Sequence, residues 1–76
     1  MELADVEKIA RSILRDYGLP LRLETVAVER PGRCVIGFSS QYSPANAFKF
    51  GIWHDTKVSS HNIRESLKRG LQVNDD

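Results

Sequence analysis

Apolar residues recur every three or four positions near the start of the chain: Leu3, Val6, Ala10, Ile13, Leu14 and Tyr17, with Ile9 widening the stripe. That spacing predicts an amphipathic helix over residues 2–17. Glu2, Asp5 and Glu7 lie near its N-terminus and Arg11 and Arg15 near its C-terminus, which complements the helix dipole. Glu7 and Arg11 stand four apart in the favourable order. Gly18 suits a left-handed cap, Leu19 folds back onto the last turn, and Pro20 forbids continuation.

The pattern then changes to period two, with a defect. In residues 21–30 (LRLETVAVER), Leu21 and Leu23 share one phase while Val26 and Val28 share the other. Either a bulge near Glu24–Thr25 shifts the register, or the strand is apolar on both faces. Pro31-Gly32 makes a turn, because proline presets φ and glycine accepts a positive φ at the next position. Residues 33–39 form a second strand with Cys34, Ile36 and Phe38 on one face and Val35, Gly37 and Ser39 on the other. The polar run SSQYSPANA is a loop. Residues 47–54 form a third strand, with Phe48, Phe50 and Ile52 toward the core and Lys49, Gly51 and Trp53 away from it.

Helical spacing returns at Ile63, Leu67 and Leu71, predicting a helix over residues 60–71. Ser59 is placed to cap it, Val58 and Ile63 suit a hydrophobic staple, and Gly70 marks the region where it frays or ends. Residues 73–76 are expected to form a frayed tail. The order α-β-β-β-α predicts an α+β fold of two layers: a three-stranded antiparallel meander with both helices on one face. The other face stays open and carries Val35, Gly37, Lys49, Gly51 and Trp53.

Composition bounds the function. Seventy-six residues, 41% hydrophobic and 28% charged, fit one small globular domain spanning 1–76. The net charge of +1 predicts no strong field. Residues 31–72 nevertheless hold six basic side chains against two acidic ones, a mild positive lobe weaker than dedicated nucleic-acid binders show. One cysteine, Cys34, forbids an intramolecular disulfide. With no signal-like start and no apolar run near the ~20 residues of a membrane span, the expectation is a cytoplasmic protein that does not enter membranes.

The element order resembles the double-stranded-RNA-binding-domain fold. Within that architecture the C-terminal third is similar to HicA-type toxins, small ribonucleases of toxin–antitoxin pairs. The similarity lies in Ile52-Trp53-His54 closing a strand, then Lys57-Val58, Ile63-Arg64, Leu67-Lys68 and Gly70-Leu71. The resemblance implies RNA binding or cleavage. HicA-type toxins resemble one another in a Gly-Ser-His sequence entering the second strand, whose histidine is taken as the catalytic base; here that place reads Gly32-Arg33-Cys34. Double-stranded-RNA binders are similar to one another in a lysine cluster opening the last helix; here the opening is Ser59-Ser60-His61-Asn62.

The chemistry of single residues divides between function and plain structure. His54, Asp55 and His61 lie about one turn, but one cysteine with two histidines at no familiar spacing is poor support for zinc, so no metal is expected. His54 and His61 are weak candidates for a general base, with Asp55 as orienter or Lys57 against negative charge. Capping explains Ser59 and Ser60 better than nucleophilic catalysis, since no Gly-x-Ser-x-Gly elbow is present. The N-terminus of the last helix, with Lys57 and His61 beside it, offers N–H groups to a phosphate. Trp53 is the most informative residue, because alternation sends it out of the core onto the open face.

The expectation is therefore a non-catalytic interaction or regulatory domain without a small-molecule cofactor. Its first expected partner is a protein or a second copy, bound through Trp53, Lys49, Val35, Lys57, Arg64 and Lys68. The alternative is an RNA-binding or HicA-like ribonuclease module that uses the basic second half with His54 and His61.

Overall fold

The structure is a computed structural model that describes residues 2–43, 45–55 and 57–73. Its elements are α1 (Leu3–Asp16), β1 (Leu21–Arg30), β2 (Arg33–Ser40), β3 (Ala47–Trp53) and α2 (Ser60–Gly70). The strands form one antiparallel sheet in the order β1-β2-β3, and both helices cover the same face. This is the expected α+β arrangement. No helix among the described residues is long and apolar enough to cross a membrane.

The core lies between the layers. Val6, Ala10 and Ile13 of α1 and Ile63 and Leu67 of α2 meet Cys34, Ile36 and Phe38 of β2 and Ile52 of β3. Burial of each large apolar side chain there contributes about 1.5–3 kcal/mol. Cys34 is fully buried, and burial raises its thiol pKa, partly offset by the neighbouring Arg33 charge.

The defect in β1 is a bulge. Leu23 pairs with Phe38 and Thr25 with Gly37, so Glu24 is the extra residue. Pairing then continues through Val26 with Ile36 and Val28 with Cys34, which returns both valines to the face that holds Leu21 and Leu23. The Ser39 hydroxyl, buried on the other face, donates to Glu24 Oε1 at 2.6 Å. The bulge thus supplies an acceptor for a polar group that would otherwise be costly to bury.

The helix ends follow their local chemistry. Gly18 takes φ +60° after α1, and the Leu19 N–H donates to the Leu14 carbonyl at 2.9 Å, closing the helix with a left-handed cap. Ser59 caps α2, its Oγ accepting from the Asn62 N–H at 3.2 Å. Val58 is partly buried against the core and Ile63 fully, as a staple requires. Gly32 takes φ +81° in the β1–β2 turn.

Two expectations, on Phe48 and on the tail, are corrected, and one, on Gly70, is sharpened. Phe48 faces the helices and stacks on Phe38 at 5.7 Å, yet it is 41% exposed, because it lies at the start of an edge strand. Gly70 marks the end of α2, as expected, and it also has a packing role. It is the last helical residue, and a Cβ there would overlap the Phe50 ring, so glycine lets β3 and α2 approach. The left-handed position after α2 belongs to Gln72, at φ 59°. Finally, Val73 does not belong to a frayed tail: it packs against the core and its N–H donates to the Lys68 carbonyl at 2.9 Å. The remainder of that stretch, residues 74–76, lies outside the described residues.

Candidate interaction face

Strand alternation fixes the uncovered face of the sheet. With Cys34, Ile36 and Phe38 turned to the helices, Arg33, Val35, Gly37 and Ser39 of β2 turn the other way. Their partners across the β3 ladder are Trp53, Gly51, Lys49 and Ala47 in that order. On the β1 side, Val35 pairs with Ala27 and Gly37 with Thr25. Among the described residues no helix is placed over this surface.

Two features shape it. At one end Trp53 is 51% exposed, and the Arg33 guanidinium lies 5.1 Å from its ring centroid. Glu29 Oε2 accepts from Arg33 Nε at 2.9 Å and holds the guanidinium from the other side. Gly51 makes this possible, because a Cβ there would overlap the guanidinium. The result is a flat Glu29–Arg33–Trp53 row across three strands. Toward the other end, a depression of ≈ 540 Å³ is lined by Glu24, Ala27, Val35, Gly37, Ala47 and Lys49. Lys49 has no ion pair among the described residues.

The six residues singled out for partner binding separate into three places. Trp53, Val35 and Lys49 share the open face. Lys57 is exposed in the turn before α2, its N–H donating to Asp55 Oδ1 at 3.0 Å. Arg64 and Lys68 lie on the helical layer instead. Arg64 donates to Ser12 Oγ at 3.1 Å and to Asp16 Oδ2 at 3.4 Å, tying α2 to α1. Lys68 is only 7% exposed, with its ammonium 5.7 Å from the Tyr17 ring and 3.6 Å from Glu65. The helical basic residues thus join the two helices and do not extend the open face.

The His54 backbone N–H donates to the Gly32 carbonyl at 2.8 Å and its ring is half-buried, whereas His61 is exposed on the first turn of α2. Among the described residues no three His, Cys, Asp or Glu side chains lie close enough to hold a metal ion. Cys34 lies inside the core.

Arg33 was not among the candidates from sequence, and it is the most integrated side chain of the open face. One signal pointed to it: glycine inside a strand marks a close approach, and Gly51 faces outward between Lys49 and Trp53. No family model, curated protein or solved structure matches the chain.

Proposed function

We propose that this protein is a non-catalytic interaction domain that recognises another protein through the open face of its sheet. One observation carries this reading: the half-exposed Trp53, braced by Arg33, beside a shallow depression floored by Val35, Gly37 and Ala27. A large aromatic held in one orientation gives a partner considerable area at small entropic cost. The low-relief, weakly charged floor suits another protein surface better than a small molecule, which needs a deeper enclosure.

A second reading, an RNA-binding module of the double-stranded-RNA-binding or HicA type, has one observation in its favour. The first turn of α2 carries no acidic side chain, and Lys57 and His61 are exposed beside its N–H groups. Arg64 and Lys68 weaken this reading, since both are engaged with α1. The protein reading is preferred on that ground.

The test is capture from the source cell with wild-type protein, Trp53→Ala and Ala27→Glu. The expected result is a protein retained by wild type after ribonuclease treatment and lost with both variants. Trp53→Ala should lower affinity by ~2 kcal/mol or more, as interface anchors do. Capture that ribonuclease abolishes, with steep weakening by salt, would transfer the assignment to RNA.

A further inference from the structure

The two edges of the sheet are protected very differently. β1 carries two register shifts and the charged residues Arg22, Glu24, Glu29 and Arg30. Bulges and charges of this kind discourage another strand from pairing. β3, the opposite edge, has none of these defences beyond Lys49. Its sequence, AFKFGIW, pairs with β2 in unbroken register and contains no proline and no bulge. Two of its aromatics, Phe48 and Trp53, are substantially exposed, and Phe50 is half-buried.

A groove of ≈ 540 Å³ wraps this edge. Phe50, Ile52 and Val58 form its apolar floor, and Asn62, Ser66 and Arg69 of α2 form its far wall. At one end Gly70 lets the helix close onto Phe50; at the other the groove reaches Trp53 and Arg33. Among the described residues, its charged lining is Arg33 and Arg69, with no carboxylate. Arg69 has no ion pair among the described residues and donates only to Ser66 Oγ at 3.4 Å.

We infer that β3 and α2 together form a strand-addition site for an extended, acidic segment of a partner protein. The segment lies along the β3 edge as a fourth strand. Its main chain hydrogen-bonds to β3, and alternate side chains enter the groove over Phe50 and Ile52. Its carboxylates meet Arg69 and Lys49. A second copy of this chain fits less well, because pairing β3 with itself about a two-fold axis sets two rims of like positive charge against each other. The site shares Trp53, Arg33, Gly51 and Lys49 with the open face, but its groove is built by β3 and α2 and it does not depend on the open-face reading.

The experiment is selection from a displayed library of random ten-residue peptides, followed by amide hydrogen exchange of the full chain with a selected peptide. The expected winners alternate apolar residues with Asp or Glu and slow exchange of β3 amides. N-methylation of the peptide at alternate residues should abolish binding in one of the two phases, since only one edge of the peptide strand faces β3. Arg69→Glu, an exposed change, should weaken binding about tenfold, which is ~1.4 kcal/mol. Ala27→Glu, on the open face, should leave it unchanged, so this site and the open-face reading fail separately. No enrichment, winners without acidic residues, binding indifferent to both methylation phases, or protection of β3 amides by self-association alone would each overturn the inference.

Discussion

The two faces of the sheet use the same three strands and the same device to different ends. On the covered face, Gly70 makes room for the Phe50 ring beneath α2. On the open face, Gly51 makes room for the Arg33 guanidinium beside Trp53. In both cases a missing Cβ lets a flat group lie close to backbone. Phe50 is then held between β3 and α2 and in the stack with Phe38 and Phe48, whereas the Arg33 side chain remains 26% exposed. The first arrangement fixes the fold, and the second prepares a surface. Small residues therefore do not by themselves distinguish core from site; what lies beyond the contacting group does.

The largest contrast should come from one large aromatic on each face. Phe38→Ala removes a fully buried ring that stacks on two others, and should cost about 3–5 kcal/mol in urea unfolding. Trp53→Ala should change stability by no more than about 1 kcal/mol, because half of the ring is already in water. In free wild type its emission should be red-shifted and open to an aqueous quencher. Equal losses from the two variants would erase the distinction between the faces.

The glycines sharpen it further. Gly70→Ala should destabilise by about 1–3 kcal/mol, as overpacking does, although alanine is the better helix former by ~1 kcal/mol. Gly51→Ala should cost less, under about 1 kcal/mol, because the displaced arginine swings into solvent. Its signature is spectroscopic: Trp53 emission should shift as the guanidinium leaves the ring.

The smallest effect concerns pH. The Cys34 thiol has a raised pKa in the folded state, mainly through burial. The folded protein then keeps a proton that the unfolded chain releases, so stability is full below the ordinary thiol range and falls as pH rises through it toward the folded value. A Cys34→Ala comparison of unfolding at pH 7 and above pH 9 should show this slope in wild type and lose it in the variant. A thiol reagent at neutral pH should modify Cys34 only after unfolding.

Much of this frame was legible because each element announces itself locally. Periods of 3.6 and 2 locate the helices and strands, the phase break at Glu24 announces the bulge, and Ser59 announces its cap. What periodicity cannot give is position across the sheet. Phe48 has the right phase for the core, but the start of an edge strand leaves it exposed. Nor can it give contacts between layers: Arg64 reaches Ser12 across 52 positions, and Gly70 meets Phe50 across 20. Contacts of this kind also engage two cations singled out for partner binding, Arg64 with Ser12 and Lys68 with the Tyr17 ring. Arg33 escaped notice for the same reason, since its role depends on which β3 residues lie opposite it.

The bulge at Glu24 also has a meaning for descent. Loss of that one residue would put Leu21, Leu23 and both valines on strict alternation, so the covered face would survive a single-codon deletion. The same event within residues 34–38 would turn half of β2 inside out. A deletion at position 24 would, however, leave the buried hydroxyl of Ser39 without its acceptor. In a lineage that shed the glutamate, position 39 should therefore drift to alanine or glycine. Two sites 15 residues apart are in this sense a single heritable character, gained or lost together.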